Sequence, residues 1–167
     1  MMKEIKLSQN KVTQVDDEDF EFLNKWKWIA DKGKYTFYAT RNDRSIPGKQ
    51  KKIRMHRVIL SLTDSKIIAD HRDRNGLNNQ RDNLRIATLS QSNANRKSHK
   101  NSTSKYLGVN LKIHKKSGKV YTYWEAKIHT GGKQKTLGRF KNEIDAAKAY
   151  NKAASEIHKE FANLNII

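Results

Sequence analysis

The sequence predicts an α+β protein assembled from small modules. These are a β-rich N-terminal module over 1–52, a strand–loop–strand–helix module over 53–97 and, after a linker at 98–104, a three-stranded antiparallel sheet packed on one helix over 105–165. Three observations predict this. Only 35% of the 167 residues are hydrophobic, which suits several small cores better than one large one. The apolar spacing alternates along the chain between the two-residue period of strands and the 3.6-residue period of helices. Residues 97–105, KSHKNSTSK, hold no apolar side chain and mark a boundary.

In chain order, residues 1–15 alternate loosely, and DDEDFEFLN (16–24) reads as a short acid-headed helix with Phe20 and Leu23 inward. KWKWIADKGKYTFYATRN reads as a β-hairpin turning at Asp31–Lys34, its strands carrying Trp26, Trp28, Tyr35, Phe37 and Tyr38. Those aromatics suit a small core better than base stacking, because a module of this size needs large side chains to bury enough area. DRSIPGKQKK (43–52), with the only proline, is a loop. Met55, Val58, Ile59 and Leu62 then recur at helical spacing. After the linker, turns at Ser117-Gly118 and Gly131-Gly132 separate three strands. Asn142 is placed to cap a final helix whose packed face carries Ala146, Ala147, Tyr150, Ala153, Ala154 and Ile157.

Charge narrows the partners. Thirty-five Lys and Arg against 17 Asp and Glu give +18, divided as +6 over 1–69, +4 over 70–100 and +8 over 101–167. A charge spread in this way suits a chain lying along a phosphate backbone, with an acidic membrane surface as the weaker alternative. The absence of cysteine excludes disulfides and thiolate zinc sites, and the six histidines form no HxxxH or HExxH pair. No apolar run approaches membrane-spanning length and the N-terminus has no signal-peptide core, so the expected location is intracellular and cytoplasmic.

The chemistry-bearing stretch is ADHRDRNGLNNQRDNLRIAT (69–88). Phosphodiester hydrolysis needs a deprotonated water, charge compensation in the transition state and help for the departing 3′ oxygen. A histidine can take the proton near neutral pH. One divalent cation held by a carboxylate and a neutral oxygen can supply the rest. Asp70 and His71 end the apolar stretch Ile67-Ile68-Ala69, where at a strand end both side chains can reach one site. Arg57, Arg72, Arg74, Arg81 and Arg85 are candidates to approach a DNA backbone, and His56 contacts phosphate, supports the site or is structural.

In their order, His56-Arg57, Asp70-His71, Asn78-Asn79, Asn83-Leu84, Thr88 and the Gln/Asn-rich helix start resemble the HNH endonuclease family in its phage homing branch, over about residues 53–96. The resemblance implies His71 as general base, Asp70 as metal ligand and Asn83 as the central asparagine that braces the loop and helps hold the base. It implies a divalent cation, Mg²⁺ or alternatively Mn²⁺, no small-molecule cofactor, and double-stranded DNA as partner. Relatives carry His or Asn as second ligand four residues past the threonine. This chain has Ser92 there and Asn93 next, and the sequence leaves open which completes the site.

In the last module the alternation puts Val109, Tyr123, Ala126, Ile128 and Leu137 inward, and Asn110, Lys112, Trp124, Lys127, Lys135 and Arg139 outward. A basic face with one aromatic suits a nucleic-acid groove. Tyr106-x-Gly108-Val109, Trp124-x-Ala126-x-Ile128, Leu137-Gly138-x-Phe140, Ala146-Ala147-x-Ala149-Tyr150, Ala153-Ala154 and Asn163-x-Asn165 resemble the plant ethylene-response-factor (Apetala-type) DNA-binding domain. That resemblance implies major-groove contacts from the outward set, and Arg57 and Arg85 of the central module are separate DNA-binding candidates. Together the two resemblances look like a mobile phage endonuclease. The rival readings are a DNA-binding or regulatory protein with a weakened nuclease frame, marked by Ser92, and RNA binding through the N-terminal aromatics.

Overall fold

A computed structural model describes residues 1–96, 98 and 101–167. Among these residues the fold is mixed α+β, with four small antiparallel sheets and four α-helices. The expected linker falls partly on residues 99 and 100, and the expected end of the central module falls on Lys97; these positions lie outside the described residues. The chain divides into two compact units, Met1–Thr88 and Leu89–Ile167. No helix among the described residues is long and apolar enough to cross a membrane.

The first unit opens with a hairpin of β1 (Met2–Lys6) and β2 (Val12–Asp16), followed by α1 (Asp17–Leu23). β3 (Ile29–Lys32), β4 (Phe37–Asp43) and β5 (Lys51–Arg54) form a three-stranded sheet that leads directly into α2 (Met55–Ile59). β6 (Ile68–His71) and β7 (Leu84–Ala87) pair as a short ribbon, with Asp70 opposite Arg85 and His71 opposite Leu84.

One apolar cluster holds this unit together. Ile5, Val15, Leu23, Trp28, Ala39, Met55, Ile59 and Leu84 meet in it, with Phe20 and Trp26 packed alongside. Residues of the expected N-terminal module and of the expected central module therefore share one core. Trp26, Trp28 and Tyr35 fall outside the strands in which the sequence places them. Trp28 turns inward because its indole N–H donates to the Leu23 carbonyl, 2.8 Å, at the end of α1. Tyr35 stays exposed in the turn.

The second unit carries α3 (Leu89–Ala94), then β8 (Val109–Lys116), β9 (Lys119–Thr130) and β10 (Lys133–Phe140) in the order β10-β9-β8, and α4 (Glu143–His158). The Asn142 side chain caps α4 by accepting from the Asp145 N–H at 2.8 Å. Ala146, Ala147, Tyr150 and Ala154 are buried, whereas Ile157 in the last turn is exposed, so the packed stripe stops short of the helix end. Two asparagines fasten the tail. Asn165 accepts from the Leu107 N–H (2.7 Å) and donates to the Leu107 carbonyl (3.1 Å), while Asn151 receives the Asn165 N–H (2.7 Å).

The sheet faces correct two expectations. Trp124 shares parity with Ala126 and Ile128 and packs on the helix-side cluster, so the outward aromatic is its neighbour Tyr123. A bulge between Thr136 and Gly138 inserts one residue into β10 and reverses the alternation there. Lys135 therefore pairs with Ile128 on the helix-side parity, while Arg139 pairs with Glu125 on the opposite face.

Candidate active site

Asp70 and His71 are the last two residues of β6 and both are buried, at 8% and 6% exposure. The chain then leaves the ribbon as the loop 72–80 and returns through a 3-10 turn, Arg81–Asn83, into β7. Asn83 fixes that loop. Its Oδ1 accepts from the Asp73 N–H at 3.0 Å, and its Nδ2 donates to Asp73 Oδ1 (2.9 Å) and to the Asn78 carbonyl (2.8 Å).

Asn83 thus ties the loop to itself, and the bond to His71 comes from Asn79. His71 Nε2 lies 3.2 Å from Asn79 Oδ1. An amide oxygen can only accept, so Nε2 carries the proton and the basic lone pair of a neutral His71 is on Nδ1. Asn79 is fully buried. Its backbone is locked to β2 by a parallel bridge in which the Gln14 N–H donates to the Leu77 carbonyl (2.9 Å) and the Asn79 N–H to the Gln14 carbonyl (2.8 Å).

Burial pushes His71 below the ordinary histidine range, while the Asn79 bond and the nearby carboxylates of Asp73 and Asp70 pull it back. The ring is therefore neutral and able to accept a proton at pH 7. His56 lies edge-on to it, centroids 5.0 Å apart, and Tyr38 flanks both rings at 5.7 and 5.9 Å. His56 is buried, which disfavours its alternative as a phosphate contact. Burial first, then His71, Arg54 and Arg57, press its pKa down to about 3.

The arginines have internal work. Arg85, also buried, pairs with Asp70: Nε donates to Oδ2 at 3.0 Å and Nη2 lies 2.9 Å from the same oxygen. Arg57 donates to the carbonyls of Ile67 (2.6 Å), Leu62 (3.3 Å) and Asp64 (2.5 Å). Arg81 makes a two-pronged pair with Asp19 (2.8 and 2.7 Å) and meets Glu18. Arg57, Arg81 and Arg85, expected to approach DNA, thus each hold partners within the first unit. Their guanidinium groups tie the ribbon and loop to α1, to β6 and to the segment after α2. The acidic head of α1 finds its partner here.

Ser92 and Asn93 stand on α3 in the second unit, half-buried and exposed respectively. Among the described residues no group of three His, Cys, Asp or Glu side chains is placed to hold a metal ion. On the sheet face away from α4 the register groups Asn110, Lys112, Tyr123, Lys127 and Arg139. There the Arg139 guanidinium lies 4.8 Å over the Tyr123 ring and Lys127 pairs with Glu125 at 2.7 Å.

Thr13 was not singled out by sequence, and Asn79 was named there only beside Asn78, as a turn residue of the family-like motif. Thr13 left a faint signal, a polar residue on the same parity as buried Val15 in a strand. Asn79 left none that separates it from Asn78, because only the loop's path distinguishes the two.

An acid and a neutral histidine at the end of one strand of a ribbon, above an asparagine-braced loop, make a class of site suited to hydrolysis of a phosphodiester. The chain belongs to the HNH endonuclease family. It is 31% identical over 153 residues to an uncharacterised HNH endonuclease of Acanthamoeba polyphaga mimivirus, a match that covers 89% of this chain and 74% of that protein. No family model matches the chain, and no solved structure matches it.

Proposed function

We propose that this nuclease is a metal-dependent DNA endonuclease of the homing type, in which His71 is the general base. The observation that carries the reading is the buried, neutral His71 held through Nε2 by Asn79 beside the Asp70 carboxylate. His71 Nδ1 takes a proton from a water as its oxygen bonds to phosphorus, and the bond from phosphorus to the 3′ oxygen breaks. Asn83 and Asn79 hold the loop and ring so that this lone pair keeps its direction.

The donor chemistry fits a hard divalent cation. Asp70 offers a carboxylate oxygen, and the second ligand implied by the family resemblance, Ser92 or Asn93, is a neutral oxygen donor. Mg²⁺ or Mn²⁺ held there would supply charge compensation for the transition state and the departing oxygen.

The outward face of the β8–β10 sheet is the proposed duplex-binding surface, through Asn110, Lys112, Lys127 and Arg139 with Tyr123 in place of Trp124. The three strands that carry this face pack on α4, and no comparison supports the ethylene-response-factor likeness of 105–165. A second reading, a DNA-binding protein with weakened cleavage, is favoured by serine at position 92 and by the Arg85 charge already on Asp70.

Incubating supercoiled plasmid with the protein in Mg²⁺ or Mn²⁺, with and without chelator, separates the two. Chelator-sensitive nicking that falls about 10²- to 10⁴-fold in His71→Ala, with DNA affinity kept, supports the first reading. Salt-sensitive binding without nicking supports the second. Parallel assays of Ser92→Ala and Asn93→Ala assign the second ligand.

A further inference from the structure

The direction in which Asn79 points is itself set by another residue, far away in sequence. Thr13 lies on β2 in the N-terminal hairpin, wholly buried, and its hydroxyl oxygen sits 2.7 Å from the Leu77 carbonyl oxygen. Two oxygens approach that closely only with a hydrogen between them, and a carbonyl has none to give. Thr13 therefore donates to Leu77. The Met55 sulfur, 4.0 Å away, is too weak an acceptor to divert it.

With its only proton committed, the Thr13 oxygen can act toward Asn79 only as an acceptor. Asn79 Nδ2 lies 2.7 Å from it and donates. The amide is planar, so fixing its NH₂ on Thr13 turns Oδ1 toward His71 Nε2. A flipped amide would set NH₂ against Nε2 and move the ring proton to Nδ1, where it would block the base.

We infer that Thr13 is a positioning residue for the nuclease reaction: its hydroxyl, through Asn79, selects the His71 tautomer whose lone pair is on Nδ1. The N-terminal hairpin is in this way a working part of the catalytic unit rather than a separate module. The inference rests on His71 being the base, but its first test does not depend on activity. No member of the relay is exposed, so water cannot take over the lost bond cheaply.

The experiment compares wild type, Thr13→Val and Thr13→Ser in the full-length protein. Valine keeps the shape without the hydroxyl, and serine keeps the hydroxyl without the methyl. Long-range ¹H–¹⁵N correlation spectra at about pH 8, above the ordinary histidine pKa, read the His71 tautomer directly. Wild type and Thr13→Ser are expected to show a protonated Nε2 and a bare Nδ1, and Thr13→Val a mixture. In cleavage assays Thr13→Val is expected to lose about 10- to 100-fold in kcat with KM for DNA unchanged, and Thr13→Ser to restore most of it.

A protonated Nδ1 in the wild-type spectrum overturns the inference even if Thr13→Val fails to fold. So does a folded Thr13→Val with the wild-type tautomer and full kcat. If instead His71→Ala cleaves normally while the spectra come out as expected, the assignment of the base has failed and the Thr13 relay stands.

Discussion

His56 and His71 sit ring to ring in a buried pocket, so the charge state of one constrains the other. With its pKa pressed to about 3, His56 stays neutral through the physiological range, and a proton arriving on His71 during turnover meets no charge on the neighbouring ring. The same shift makes His56 a determinant of stability. Unfolded, it takes up a proton below pH 6.5; folded, it stays neutral down to about 3, so the unfolded state binds more protons in between. Its contribution is fully present above about pH 6.5 and declines as the pH falls toward 3, with a slope of up to about 1.4 kcal/mol per pH unit. Burial of His71 adds a slope of the same sign. Urea denaturation between about pH 4.5 and 7.5 is expected to show a shallower acid decline in His56→Phe than in wild type; equal slopes would place the titration elsewhere. At this scale the sequence showed the Asp70-His71 pair, because adjacent chemistry at the end of an apolar run is a local pattern. It did not show Asn79 facing His71 or Thr13 facing Asn79. Those contacts depend on a bridge between β2 and the loop, and no local spacing encodes it.

At the level of elements, the β8–β10 sheet and α4 follow the alternation, glycine turns and asparagine cap that the sequence displays, since each of those signals acts within a few residues. The face of each strand was harder to read. Tyr123 and Trp124 are adjacent, half-buried aromatics, and only packing on the cluster of Ala126 and Ala146 decides which one faces the helix. The bulge before Gly138 then separates Lys135 from Arg139 where simple alternation pairs them. Close packing also explains Gly108, with φ +76° and an added Cβ falling onto the Tyr150 ring and 2.6 Å from the Lys127 carbonyl. Gly118, at φ +73°, would meet nothing. Alanine at either position strains the backbone alike, at about 1–2 kcal/mol, so their difference isolates the steric term. Gly108→Ala is expected to cost about 1–3 kcal/mol more than Gly118→Ala in urea denaturation. Equal losses would show that α4 can move aside from the strand at no cost.

Over the whole molecule, the charge of +18 has to be reconciled with arginines that are spent internally. Arg57, Arg81 and Arg85 bind carbonyls and carboxylates of the first unit, and lysines are prominent among the remaining cations. Lysine contributes point charge without the forked geometry that reads a guanine edge. Affinity should accordingly come mainly from displaced counterions and be steep in salt, with log K falling by about 0.9 per phosphate neutralised for each decade of salt. Lys112 and Arg139, exposed on the face away from α4, test where that contact lies. Lys112→Ala with Arg139→Ala is expected to weaken duplex binding and flatten the salt slope by about 2, one for each lost phosphate contact. His71→Ala should leave both affinity and slope at wild-type values, because a neutral buried ring displaces no counterion. The measurement is a fluorescence-anisotropy titration of one duplex at several salt concentrations. An unchanged slope in the double variant would move the duplex off this sheet face, while a changed slope in His71→Ala would make that histidine a contact to phosphate rather than a base.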